Sequence, residues 1–205
     1  SMADTLKLCV SCKACRSECP TGVDMAKMKL EVLAKWAEKY GLSRRDRLVA
    51  DLPKMARTAS KMGGVLNALN RIPGAGMVRE KMFGLAADRL PPDWAAKPFA
   101  QDGEVIGPET GAPVVLLVDT FSRYFDADQT TDAIRVLAAA GCRVHLPALP
   151  QDGRPVCCGR TYLAAGLPDR AKAEAERTLD LLKPYLDQDM PILGLEPSCH
   201  LGYRD

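Results

Sequence analysis

The 205-residue sequence predicts an α+β chain, all-helical through residue 100 and a parallel α/β unit from residue 114, and three observations carry that reading. Apolar positions recur at helical spacing in the first half, a Pro- and Gly-rich stretch interrupts the chain, and short apolar runs then alternate with helical ones. Charge divides at the same place. Residues 1–100 hold 18 Lys and Arg against 10 Asp and Glu, whereas residues 101–205 hold 10 against 16, so the net +2 covers two units of opposite sign.

In chain order, the first element is a cysteine-rich segment, "CVSCKACRSECP", from Cys9 to Pro20. Asp24 then offers an N-cap, and Met25, Met28, Val32 and Trp36 recur at spacings of three and four. With Gly41 just past its end, that stripe predicts an amphipathic helix over 24–40. Ser43 with Asp46 at the capping-box position starts a second helix, which must end or kink near Pro53. Short helical pieces broken by Gly63-Gly64 and by "PGAG" at 73–76 fill 54–90, and no strand is predicted in this half. "LPPDWAAKPF" (90–99) and "DGEVIGPETGAP" (102–113) mark a linker, bounded as 101–113 between units 1–100 and 114–205.

Beyond the linker, "VVLLVD" (114–119) reads as a buried strand, 129–140 as a helix closed by Gly141, and "RVHLP" (143–147) as the next strand. "VCCGRTYLAAG" follows, then a helix over 169–183 ended by Pro184 and a third strand, "PILGLE" (191–196). Ligands of parallel α/β units sit outside the carboxyl ends of the strands. Asp119-Thr120, "VCCGR" and "PSCH" all fall at such ends, which makes them a predicted site.

Composition bounds the function. At 47% apolar and 26% charged residues the chain reads as globular, and its longest apolar run, "APVVLLV", is too short to span a bilayer. With no signal-peptide core ahead of the cysteines, the expectation is a non-exported, cytoplasmic chain. The basic residues are spread along helix faces without interleaved aromatics, which argues against a nucleic-acid partner.

Chemistry concentrates in the cysteines. Cys9, Cys12, Cys15 and Cys19 follow the C-x2-C-x2-C-x3-C-P spacing of bacterial ferredoxins. Two-residue gaps let a tight loop offer three thiolates to one [4Fe-4S] cluster, while the fourth turns elsewhere. A zinc site more typically pairs C-x-x-C with a distant second pair, and disulfides do not suit a chain without an export signal. Cys157, Cys158 and Cys199 read either as buried small hydrophobes or as converging metal or cluster ligands, and spacing leaves both open. His200 is a ligand candidate or plain polar surface, and Asp119 a polar site group or an N-cap. Cys142 and His145 read as packing, and no catalytic residue is assigned.

"LKLCVSCKACRSECPTGVDMAKMK" resembles the ferredoxin-type segment of bacterial FAD-linked oxidoreductases of the D-lactate dehydrogenase and glycolate oxidase iron-sulfur type. "PVCCGRTYLAAGLPDRAKAEA" with "GLEPSCHLGYRD" resembles the CCG cysteine-rich domain that follows it, shared in looser form with heterodisulfide reductase B-type subunits. The resemblance implies an all-α ferredoxin-type segment followed by a Rossmann-like half domain, the first repeat of a truncated CCG domain. Cys9, Cys12, Cys15 and Cys19 match the family's second ferredoxin motif, and Cys157, Cys158 and Cys199 match the CCG cysteines, holding a second cluster or zinc. The first motif and the FAD-bearing domain would lie upstream, and a second CCG repeat beyond Asp205. Implied partners are a flavin domain or subunit and an acceptor such as a quinone, with peripheral association of the parent protein on the inner face of the membrane. Such a chain is part of an oxidoreductase and not catalytic alone. Two rival readings are a thiol/disulfide reductase of heterodisulfide-reductase type acting through Cys157 and Cys158, and a zinc-binding interaction module. Two departures stand out: Asp119-Thr120 occupies a strand end where many CCG repeats carry cysteine, and Cys199-His200 stands where C-x-x-C often closes a repeat.

Overall fold

The computed structural model describes residues 5–6 and 8–204, the side chains of Leu201 and Arg204 excepted. Among the described residues the first half is helical, with α1 Ala14–Glu18, α2 Met25–Tyr40, α3 Arg44–Ala50, α4 Leu52–Ala59, a 3-10 turn Ser60–Met62, α5 Gly63–Asn70 and α6 Ala75–Phe83. No strand precedes Val105 among the described residues. Local chemistry sets the boundaries. The Asp24 carboxylate accepts from the Lys27 N–H at 2.9 Å, and Gly41 closes α2 at φ 75°. Ser43 Oγ accepts from the Asp46 N–H at 3.1 Å while its hydroxyl donates to the Asp46 carboxylate. Pro53 does not kink a running helix. The chain leaves α3 at Asp51 and re-enters at Leu52, so Pro53 falls in the first turn of α4, where a missing N–H is harmless.

Helix α2 forms over the expected span, but its buried side is not the stripe of Met25, Met28 and Trp36, which is largely exposed. The inward face is Ala26, Leu30, Leu33 and Ala37. A Cβ on Gly166 would lie 2.5 Å from the Leu33 carbonyl, so backbone meets backbone there, and small neighbours win over bulky ones. A second apolar stripe, Met62, Val65, Leu69 and Ile72, also points outward, while the opposite side of α5 is docked. On that side the Asn67 amide bonds the Trp94 N–H and C=O, both at 2.9 Å, and Gly63 abuts the Trp94 side chain.

The second half is a four-stranded mixed sheet, β1 Val105–Ile106, β2 Ala112–Leu117, β3 Cys142–His145 and β4 Ile192–Gly194, in the order β1-β3-β2-β4. Strands β3 and β4 run parallel to β2, and β1 is antiparallel at the edge. The segment expected as a linker thus contains β1 and the start of β2. Two residues among Gly and Pro carry too little pattern to read as a strand, yet the Leu146 N–H donates to the Glu104 carbonyl and the Gly103 N–H to the Leu146 carbonyl. Gly107, at φ 114°, lets the chain pass the Cys142 carbonyl, which a Cβ would meet at 2.2 Å.

Alternation along the centre strand sorts the core. Val114, Leu116 and Val118 pack with Ile134 of α8 (Ala127–Ala139) on one face. Val115 and Leu117 pack with Leu182 of α10 (Pro168–Leu186) on the other. Helix α10 runs through Pro184, expected as its end. Pro184 sits in the last turn, and both it and Asp180, whose carbonyl loses its donor, are exposed, so water replaces the bond. The remaining helices, α7 Thr120–Tyr124, α9 Arg160–Ala164 and α11 Pro197–Arg204, start just past the ends of β2, the loop after β3, and β4. The two halves meet where Ala50, Tyr162 and Ala171 form a buried cluster and the Thr161 hydroxyl donates to the Ala50 carbonyl at 3.2 Å.

A buried three-cysteine site at the sheet's carboxyl edge

The loops at the carboxyl ends of the parallel strands bring Cys157, Cys158 and Cys199 into one buried cluster, with 2%, 9% and 7% of their surfaces exposed. Cys157 and Cys158 lie on the approach to α9, whose N-cap is Gly159 at φ 78°, and Cys199 lies in the first turns of α11. Three contacts hold the parts together. The Thr178 hydroxyl of α10 donates to the Cys157 carbonyl at 3.2 Å, the Thr120 hydroxyl donates to the Val156 carbonyl at 3.4 Å, and the Arg160 guanidinium reaches the Ser198 carbonyl at 3.3 Å. Phe121 and Tyr203 close over the sulfurs.

The three thiols perturb one another. Hydrogen bonds from Cys157 and then Cys199 pull the Cys158 thiol down to about 3, helped by the Arg160 N–H and guanidinium. Cys157 and Cys199 move the other way, first because each donates to Cys158 and then because they are buried. Cys158 is therefore the thiol pulled toward ionisation, while its two neighbours are held protonated. Burial also raises the Tyr203 hydroxyl and the Asp119 carboxyl. Asp119 caps α7, accepting from the Phe121 N–H (2.7 Å), the Ser122 N–H (3.2 Å) and the Ser122 hydroxyl (2.7 Å). A small pocket lined by Asp119, Glu196, Cys199, His200 and Tyr203 opens beside the cluster. His200 itself is exposed. Cys142, the first residue of β3, packs against the core, and the His145 ring sits edge-on to Tyr185 at 6.2 Å.

The four N-terminal cysteines are arranged differently. Cys12 is exposed and the others are partly buried. The Ser11 N–H donates to Cys9 Sγ at 3.4 Å, the Met25 N–H at the start of α2 donates to Cys15 Sγ at 3.3 Å, and Cys19 Sγ pairs with the Thr21 hydroxyl at 3.1 Å. That hydroxyl, with the Val23 and Thr21 N–H groups, lowers the Cys19 thiol. Ser11 and Lys13 both take left-handed backbone, at φ 57° and 59°, on either side of Cys12. Non-glycine residues resist that conformation. In donor chemistry the run suits a cluster: four sulfurs, three already hydrogen-bonded as cluster thiolates are. Three of the four turn to local partners of their own, so binding a cluster would draw them inward from these positions. Among the described residues no group of three or more His, Cys, Asp or Glu side chains is set to hold a metal ion, which applies equally to Cys157, Cys158 and Cys199.

The chain is similar over 96% of its length to the D-2-hydroxyglutarate dehydrogenases of Escherichia coli and Pantoea ananatis, at 26% and 27% identity. Over 98% it is similar to that of Pseudomonas putida, at 26%. It spans about a fifth of the length of each of these relatives (20%). No family model and no solved structure matches it.

Phe121, Tyr203 and Thr178 of the site escaped sequence reasoning. Tyr203 stands four positions after Cys199, hence on the same side of α11, a signal that was available. Thr178 sits mid-helix in α10, and nothing local marks it. No described helix is long and apolar enough to cross a membrane.

Proposed function

We propose that the chain is an iron-sulfur electron-transfer portion of a flavin-dependent 2-hydroxy-acid dehydrogenase, built as an all-α ferredoxin-type segment followed by a Rossmann-like CCG half domain. The observation that carries this is the C-x2-C-x2-C-x3-C-P run, three of whose sulfurs already accept or share hydrogen bonds on a loop held in left-handed backbone. Similarity to D-2-hydroxyglutarate dehydrogenases across nearly the whole chain supports the reaction class. Cys9, Cys12, Cys15 and Cys19 would supply the thiolates, and a bound [4Fe-4S] cluster would supply one-electron transfer. The chain's own part is to hold the sulfurs, through the Ser11, Met25 and Thr21 donors, and to shield them. FAD and the hydroxy-acid chemistry belong to a partner flavin domain or subunit, for which the outward stripe of Met62, Val65, Leu69 and Ile72 is a suitable apolar face. Electrons would leave to an acceptor such as a quinone, in the cytoplasm or at the membrane's inner face.

Anaerobic purification with iron, sulfide and zinc analysis tests the reading. The expected result is a brown protein containing labile sulfide, whose iron content falls by more than half in Cys12→Ser and Cys15→Ser. A colourless protein holding stoichiometric zinc would overturn it in favour of a zinc module.

A further inference from the structure

We infer that Lys29 is a positioning residue for the N-terminal cysteine run: its ammonium holds Cys9 in place, and its charge raises the reduction potential of a cluster bound there. The inference rests on the electron-transfer reading and names a residue outside the motif itself. Lys29 Nζ donates to the Cys9 carbonyl at 2.5 Å across twenty positions of sequence, and both residues are partly buried. Four positions earlier on α2, the Met25 N–H donates to Cys15 Sγ at 3.3 Å. Positions four apart share one face of a helix, so the first two turns of α2 grip the run at its first and third cysteines. Between those grips lie Ser11 and Lys13, both in left-handed backbone. A loop held in that conformation needs outside contacts to keep its shape.

Charge separates this contact from any neutral hydrogen bond. Ordering a lysine side chain gives up rotamer freedom that a solvated lysine keeps, and the acceptor here is a neutral carbonyl, so the contact does not itself cancel the positive charge. A thiolate-ligated cluster gains one more negative charge on reduction, and the charge and hydrogen bonds around it set its potential. A cation fixed beside Cys9 therefore favours the reduced form. Because the bond goes to backbone, it persists when the Cys9 sulfur turns. Lys35, further along the same helix, is the contrast: it is exposed and pairs with Glu38 at 2.9 Å.

The test is anaerobic purification of the intact chain and four variants, with iron and labile sulfide counted, the midpoint potential titrated by electron paramagnetic resonance, and folding checked by circular dichroism. Lys29→Gln keeps a donor without the charge. It should shift the balance about tenfold toward the oxidised form, a fall of ~59 mV for a one-electron couple. Lys29→Met removes donor and charge together, and should also lose more than half its iron while staying helical. Lys29→Arg should restore both values, and Lys35→Met should match wild type. Wild-type potential and iron content in folded Lys29→Gln and Lys29→Met would overturn the inference and leave the electron-transfer reading standing. An equal fall in Lys35→Met would do the same, by tracing the effect to overall charge, as would a folded Lys29→Arg that fails to restore the iron. A wild type that binds no iron would remove both readings at once.

Discussion

Gly159→Ala is expected to dismantle the three-cysteine site and to lower the stability of the whole chain by about 2–5 kcal/mol. Two costs combine. Gly159 sits at φ 78°, where an L-residue costs roughly 1–2 kcal/mol. A Cβ there would also lie 2.6 Å from the Ala171 carbonyl oxygen and 2.9 Å from its Cα. That is α10 backbone, with no side chain to swing away, and overpacking of this kind typically costs about 1–3 kcal/mol. At this chain length each kcal/mol moves the unfolding midpoint by roughly 2–4 °C, so a drop of about 4–20 °C should appear in thermal melts. Gly141→Ala provides the control. Its φ of 86° carries the same conformational cost, but nothing lies within 4 Å of the added methyl, so only the smaller loss is expected. If the two variants melt together, backbone contact at Gly159 contributes nothing and the account is wrong. The cysteines give a second readout, because Cys157 and Cys158 immediately precede the displaced residue. Alkylation of both in the native state should rise well above wild type.

Gly159 also illustrates what the sequence could and could not disclose. The residue types at the three strand ends were readable, and the structure brings Cys157, Cys158 and Cys199 together beside Asp119, because parallel connectivity delivers successive strand ends to one edge. Caps at Asp24 and Ser43 were readable because they are local chemistry among residues three apart. Orientation was not. On α2 two apolar stripes compete, and the choice of Ala26, Leu30 and Leu33 is made by Gly166, more than a hundred residues away. Strand β1 is invisible for the same reason: its two residues become a strand only because β3 offers an unpaired edge. Which thiol is pulled toward ionisation is likewise set by the third dimension, since Cys158 is singled out by two neighbours, one of them forty-one positions on.

Asp102→Ala is expected to cost about 3–5 kcal/mol, an effect as large as any at the site itself. Asp102 comes from the stretch that composition marks as a linker, and its carboxylate receives a fork of two bonds from the Arg123 guanidinium, one of them at 2.8 Å. The same guanidinium donates to the Phe99 carbonyl at 2.7 Å and lies 5.7 Å from the centre of the Phe99 ring. Only 4% of the Arg123 side chain and 17% of that of Asp102 is exposed, so water screens the pair weakly. Removing the carboxylate leaves a cation buried with one carbonyl for company. Removing both charges does not: Asp102→Ala combined with Arg123→Met should recover to within about 1–2 kcal/mol of wild type, since a buried pair can be exchanged for apolar packing at little net cost. Added salt should leave the single variant's deficit unchanged, unlike that of a surface pair. A loss under about 1 kcal/mol for Asp102→Ala would mean that the pair behaves as a solvated surface bridge. The consequence reaches the site through α7. Arg123 belongs to the short helix that Asp119 caps, and the Phe99 and Ala95 N–H groups donate to the Arg123 and Tyr124 carbonyls at 3.0 and 2.8 Å. Segment 95–102 therefore anchors the helix that holds Phe121 over the three sulfurs, and loosening it should raise the reactivity of Cys158 and Cys199 without changing a residue that touches them.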